Sequence, residues 1–381
     1  MDFTYLDRYL DSLLEDGFPM YDCTVHVGYE EVYRRCGGFT DVASRKTHEP
    51  DTRYFLYSCS KPITTCAALT LLEKGKFRLH DPIDMYLPEF AEMKVRERRP
   101  NGEEFLRPAK TKITVRDLFT MTAGFSYNVT CQTIKDAVAQ TGGKAPTREI
   151  VRAFAREPLF CDPGSYYRYS LCHDVLAALC EVVSGVRFAD YVRETVFAPL
   201  GMKNSTFHLS PEEMKETMAT QYSYKAAEKK SYAVPLSNYL ILGDEYDSGG
   251  AGVISTLEDY ILFAEAMANG GVGRNGARIL APATIDLWRA PALTPQQKTT
   301  FDDDYFCGYS YGLGVRTMEN RGIGGSLGPN GEFGWSGAAG SLVYISPETN
   351  VSIFCAQHML NPPEGQVLPA LRNVAFACLG R

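Results

Sequence analysis

Phe3, Leu6, Leu10, Leu13 and Leu14 recur at helical spacing with acidic residues between them, and Gly17 follows. The pattern predicts an amphipathic surface helix at the start of the chain. Next come "YDCTVHV" and "EVYRRC" on either side of "GYEE", which predict a hairpin. "GSLVYIS" and "VSIFCAQH" around "PETN" predict a second hairpin near the far end, and Leu371, Val374, Ala375 and Cys378 return to helical spacing. The middle reads as mostly helical, in "TVRDLFTMTAGF", "HDVLAALCEVVSG" and "FADYVRETVFAPLG", while Lys225 to Lys230 reads as an exposed loop or helix end. Two chain ends contributing to one sheet, with helices between them, predict an α/β fold: an antiparallel sheet flanked by helices, with an inserted, mostly helical domain. The expected division is residues 1–72 and 240–381 for the discontinuous α/β domain and 73–239 for the helical one.

One helix departs from the amphipathic pattern. Ile63 to Leu72 is apolar except for threonines, which predicts burial on all sides. Pro62 suits its first turn, and Ser58 and Lys61 stand three apart at its start, on one face. The free N–H groups and dipole of a helix N-terminus suit an oxyanion. Burial disfavours the charged form of Lys61 and turns it towards a base that can take the serine proton. The plainer alternative is that Ser58 is an N-cap. A buried lysine weighs against it, because lysine is rarely buried unpaired.

Two further stretches carry candidate chemistry. In "CDPGSYYRYSLCHDVLAALC", Tyr169 and Ser170 close a turn before an apolar helix starting near His173. The Tyr169 hydroxyl, as a phenolate or through a proton shared with Lys61, can serve as base or relay; otherwise it is packing. In "GEFGWSGAAGSLVYIS", glycines surround Trp335 and Ser336 at the expected start of an edge strand. Such a strand can offer the N–H of Ala338 as an oxyanion donor beside that of Ser58; otherwise it is a glycine-rich turn. The loops "FSYNVTCQ" and "GDEYDSGG" receive no position.

Taken in order, "SCSK", "YSL" and "WSG" resemble the three motifs of the serine β-lactamase and penicillin-binding-protein superfamily, in its esterase-like branch (family VIII carboxylesterase-like). The segments "ITVRDLFTMTAGF", "PLGMKNSTF", "GGAGVISTLEDYILFAEAMANGG" and "YGLGV" are similar to it too, so the resemblance spans nearly the whole chain. It implies a β-lactamase/transpeptidase-like fold, Ser58 as acylated nucleophile, Lys61 as its base and Tyr169 as proton relay. It also implies that Trp335, Ser336, Gly337 and Ala338 form the third wall and half the oxyanion hole. The departures are Leu171, where penicillin-reactive members usually have asparagine, and Trp335, where they usually have a cation or histidine. Both favour an uncharged ester over a β-lactam. The expected function is a serine acyl hydrolase cleaving small carboxylic esters. A β-lactamase or D-amino-acid peptidase or amidase is the alternative, and a non-catalytic scaffold relative is the competing class.

Composition narrows the partners. The 381 residues are 45% hydrophobic and 22% charged, with a net charge of -7 and both signs interspersed. That excludes disorder and gives no basic stripe for nucleic acid. No apolar run reaches about 18 residues, and the N-terminus lacks a signal-peptide pattern, so neither a membrane span nor secretion is expected. Eleven cysteines without C-x-x-C spacing read as reduced thiols of a cytoplasmic protein, and no Cys/His cluster has zinc spacing. No metal or cofactor is expected; the partner is a small-molecule ester or amide, and the sequence assigns no oligomeric state. "GGSLG" (Gly324–Gly328) matches a nucleophile elbow, but "PNGEF" after it cannot start a helix well. "HVG" at His26 precedes the serine and is discounted, while His358 stays open as a triad member.

Overall fold

A computed structural model describes residues 1–301 and 306–380. The main sheet has seven strands: β1 (Met20–Val27), β2 (Glu30–Gly38), β3 (Tyr309–Tyr311), β4 (Arg316–Met318), β5 (Phe333–Ser336), β6 (Leu342–Ser346) and β7 (Val351–Ala356). Their spatial order is β2-β1-β7-β6-β5-β4-β3, every pair antiparallel. Both predicted hairpins form, as β1–β2 and β6–β7. They meet at the centre, where Cys23 lies opposite Cys355. The sheet therefore joins the two ends of the chain, as expected.

Strict alternation sorts the central strands onto two buried faces. Leu342, Tyr344, Ile353 and Cys355 pack with Leu6, Leu10 and Leu13 of α1 (Thr4–Glu15) and with residues later in the chain such as Leu371 and Phe376. Val343, Ile345 and Phe354 turn to the other side and join the larger core. Behind that face α2 (Ser60–Glu73) packs against α3 (Cys172–Ser184), and α4 (Leu257–Ala268) lies across β7. Every residue of α2 from Ser60 to Leu71 is buried, so this helix is enclosed as its composition predicts. The last helix, α5 (Glu364–Leu379), packs on α1. All eleven cysteines are free.

Three expectations are corrected. The glycine-rich stretch around Trp335 does not open an edge strand: Trp335 and Ser336 end β5, which lies inside the sheet between β4 and β6. The strands outside it, β3 and β4, are three residues each and too short to show an alternation in sequence. The helix read in "TVRDLFTMTAGF" is only Val115–Phe119. Thr114 and Asp117 cap its start reciprocally, and Met121 takes a φ of 57°, which no right-handed helix can contain. The middle of the chain also carries strands. Residues 94–98 and 104–108 form a hairpin, and residues 222–225 and 230–233 share a small sheet with residues 359–360.

Candidate active site

Ser58 is placed from both sides. Before it, Tyr54–Phe55 pairs with Ile254–Ser255. After it, the enclosed α2 fixes the direction of the chain. Between them Tyr57 adopts a φ of 45°, a left-handed conformation that costs a non-glycine residue about 1–3 kcal/mol. Gln221 donates to the Tyr57 hydroxyl at 2.7 Å, and that hydroxyl donates to the Ser237 carbonyl at 3.2 Å, which holds the strained residue in place. Ser58 then sits in a single tight turn, Tyr57–Cys59, ahead of α2 and makes no side-chain cap. The N-cap reading is therefore set aside.

Lys61 lies one helical turn on and is fully buried. Its Nζ reaches Ser58 Oγ at 3.1 Å and donates to the Gly250 carbonyl at 2.9 Å. Burial penalises the ammonium and brings its pKa down to about 7, while the Asp174 carboxylate works the other way. A neutral Nζ can accept the Ser58 proton along the same line. On the other side of Oγ, the Tyr169 hydroxyl donates at 2.7 Å and accepts from Trp335 Nε1 at 3.3 Å. Burial raises the Tyr169 phenol well above its ordinary range, against the weaker pull of these hydrogen bonds. A phenolate is thus disfavoured, which weighs towards the relay of the two roles read from sequence. Lys61 Nζ sits over the face of the Tyr169 ring, 4.5 Å from its centroid, and both groups reach the Ser58 hydroxyl.

Ser58, Tyr169, Trp335, Ser336 and Ala338 line one cavity of about 280 Å³. Ala338 stands in the turn just past β5. Gly337 lies beneath the wall: a Cβ there would come within 2.2 Å of the Leu56 carbonyl, so only glycine lets this turn approach the segment carrying Ser58. Aromatic rings make the rest of the wall. Trp335 stacks on Tyr169 (5.7 Å between centroids) and on Phe306 (5.6 Å), and Tyr127 stacks on the far face of the group, 5.3 Å from Tyr169.

Several residues were not found from sequence. Asp174, fully enclosed beside Lys61, accepts from Tyr246 (2.8 Å) and Ser248 (2.7 Å). Burial raises its pKa, and those two hydroxyls and Lys61 oppose the rise. Tyr127, which interacts with the Ser58 hydroxyl, comes from "FSYNVTCQ", and Tyr246 and Ser248 come from "GDEYDSGG". The one available signal was Asp174 itself, an acid in the first turn of a mostly apolar helix. Glu364, also lining the cavity, carried none.

Asp174 offers a test of the Lys61 environment. Its charge supports the ammonium form, so Asp174→Asn is expected to lower the Lys61 pKa further. The acid limb of kcat/KM should then move to lower pH. A pH–rate profile checks this, and an unmoved limb would show that Asp174 only packs.

The other candidates are structural. His358 accepts from the Phe55 N–H at 3.2 Å through Nε2 and donates to the Ala219 carbonyl at 3.0 Å through Nδ1. Both nitrogens are committed, and burial lowers its pKa to about 4, so it is no triad member. His26 pairs with Glu265 inside β1. Gly324–Gly328 is a run of turns in which Ser326 donates to the Gly328 carbonyl. Among the described residues no group of three or more His, Cys, Asp or Glu side chains could hold a metal ion, and no helix is long and apolar enough to cross a membrane.

A family model described as Beta-lactamase matches residues 6–375. The chain belongs to the Beta-lactamase family. It has the β-lactamase/transpeptidase-like fold, and that family includes esterase and acyltransferase relatives. Esterase EstB of Burkholderia gladioli is 27% identical over 371 residues, covering 91% of this chain and 88% of its own. Monacolin J acid methylbutanoyltransferase of Aspergillus terreus is 29% identical over 282 residues, covering 72% and 66%. Among solved structures, EstCE1, described as a hydrolase with promiscuous acyltransferase activity, superposes with a TM-score of 0.77 at 23% identity, over 98% of both chains. That likeness concerns the fold alone.

Proposed function

We propose that this member of the Beta-lactamase family is a serine acyl hydrolase that cleaves small carboxylic esters through an acyl-enzyme on Ser58. The observation that carries the reading is the Ser58 hydroxyl held between Lys61 Nζ and Tyr169 Oη, at 3.1 and 2.7 Å, on the wall of an aromatic cavity. Neutral Lys61 takes the Ser58 proton as Oγ attacks the ester carbonyl. The backbone N–H groups of Ser58 and Ala338 receive the oxyanion. On collapse the Tyr169 hydroxyl protonates the departing alkoxide, and the Lys61 ammonium, which lies over the Tyr169 ring, returns the proton it took from Ser58 to the phenolate. Water repeats the sequence on the acyl-enzyme and releases the acid. The esterase name of a relative covering most of both chains supports this reading.

The cavity chemistry sets the preference between esters and β-lactams. A β-lactam presents a carboxylate beside its ring. Here that group would meet the Trp335 indole and the Glu364 carboxyl, with no cation among the described lining residues. Burying a carboxylate against such groups is costly. Hydrolysis of p-nitrophenyl acetate and butanoate is therefore expected to exceed that of nitrocefin in kcat/KM by at least tenfold. A higher kcat/KM for nitrocefin would replace the esterase by the lactamase alternative.

A second reading is transfer of the acyl group to an alcohol instead of water. The acyltransferase relatives favour it. Running the p-nitrophenyl butanoate reaction with added alcohols, and measuring the ratio of ester to acid formed, separates the two.

A further inference from the structure

Among the described residues, the cavity beside Ser58 holds one acid whose role the reaction does not explain. Glu364 is the first residue of α5 and follows Pro362 and Pro363, which fix the chain entering the helix. Its side chain lines the same cavity as Ser58, Trp335 and Ser336, and the Ser336 hydroxyl interacts with its carboxylate. Among the described residues no lysine or arginine forms an ion pair with it. Arg316, whose charge acts on it, is engaged elsewhere: its guanidinium lies against the rings of Tyr309 and Tyr344 and donates to the Val343 carbonyl at 3.1 Å. Glu364 thus brings a carboxyl group into a partly enclosed, aromatic space with the Ser336 hydroxyl as a partner and no ion pair.

Two features of that space point to the same ligand. A carboxylate in aromatic surroundings is best compensated by a cation within reach. Tyr169, Trp335 and Phe306, stacked on one another, wall the same cavity with apolar rings, and in such low-dielectric surroundings the pull of a carboxylate on a cation is stronger than in water. We propose that Glu364 and this aromatic wall select substrates carrying a protonated amine or quaternary ammonium group, so that the preferred substrates are cationic esters. This deepens the esterase reading and rests on it for the reaction. Burial raises the Glu364 carboxyl from its ordinary range, and a bound cation would reverse that effect.

The test compares matched esters. On the alcohol side, butanoylcholine is paired with its neutral isostere 3,3-dimethylbutyl butanoate. On the acyl side, p-nitrophenyl 3-aminopropanoate is paired with p-nitrophenyl butanoate. Rates are followed by pH-stat or nitrophenolate release, each corrected for the ester's own hydroxide-catalysed rate. In at least one pair the cationic member is expected to have the higher kcat/KM by about tenfold or more. In Glu364→Gln that ratio should collapse towards one; because a ratio is read, a general loss in the variant cancels. No cationic preference in either pair, or a preference that survives in Glu364→Gln, would overturn the proposal. Should Glu364→Gln fail to fold, Glu364→Asp carries the test: with the charge kept, it must keep the direction of the preference, and equal use of both members would overturn it.

Failure of the esterase reading is told apart by binding. If none of the four esters is hydrolysed, choline and 3,3-dimethylbutan-1-ol are titrated against the tryptophan fluorescence of the wild type and of Glu364→Gln. Tighter choline binding that disappears in the variant supports the cation site even then. Equal affinities, or no effect of the variant, reject it.

Discussion

Ser58→Ala is expected to abolish ester turnover while leaving the protein folded. The substitution removes one hydroxyl from a residue that caps no helix and is already almost enclosed. Lys61 keeps its bond to the Gly250 carbonyl, while the Tyr169 hydroxyl still accepts from Trp335 but loses Ser58 as the acceptor of its own proton. Losing one acceptor for two donors costs about 1–3 kcal/mol, which moves a melting curve by a few degrees in a chain of this size. The chemical effect is much larger. With no Oγ there is no acyl-enzyme, and removing the nucleophile of a comparable serine hydrolase costs on the order of 10⁶-fold in kcat. A loss of at least ~10⁴-fold against p-nitrophenyl butanoate is expected, together with loss of the covalent mass added by a fluorophosphonate to the wild type. More than a few per cent residual activity would remove Ser58 from the mechanism. Failure of the wild type itself to take up the fluorophosphonate would favour the non-catalytic scaffold.

What the sequence made legible follows from distance along the chain. Ser58 and Lys61 are three apart at the start of a helix with no polar face, so their shared environment can be read from about twenty residues. Tyr169 and Trp335 stand 111 and 166 residues further on in succession, and only the order of motifs tied them to Ser58. Asp174, Tyr246 and Ser248 were illegible as a group. They meet because α3 packs on α2 while the loop through Gly250 crosses both, and neither packing has a local signature. In the same way Tyr127 reached Ser58 from a loop, and Glu364 reached the cavity from a helix start that reads only as a helix start. The left-handed Tyr57 was equally silent, since nothing in "FLYSC" distinguishes a strained tyrosine from a core one. Strand order failed for a related reason. Whether β5 is an edge or an interior strand depends on β3 and β4, and three residues are too few to show a period of two.

The second large effect concerns Lys61. Lys61→Arg is expected to lower kcat by at least ~10³-fold, because a guanidinium stays protonated at any working pH and cannot accept the Ser58 proton. A fully active arginine variant would show that the lysine is only structural. On the proposed mechanism the neutral amine is the active form, and burial brings its pKa down to about 7. Activity should therefore be low at pH 5, rise through pH 7 and level off above it, with the limb set by the free enzyme and read in kcat/KM. The same shift has a cost in stability, and its sign is fixed. The folded-state pKa lies below the ordinary lysine value of 10.5, so the unfolded chain binds more protons throughout that interval. Stability should rise with pH from about 7 towards 10.5, and the full penalty, a few kcal/mol, is present below 7. Lys61→Met keeps the length and apolar stem of the side chain without the ammonium. It should be inactive yet more stable than the wild type, and the gain should be larger at pH 6 than at pH 9. Asp174, left without its cation, is pushed further towards the neutral acid by its burial and stays bonded to Tyr246 and Ser248. Urea unfolding of both proteins at the two pH values measures the difference. If Lys61→Met were less stable at pH 6, the amine would be charged and well paired in the folded protein, and its role as a neutral base would fall with that result.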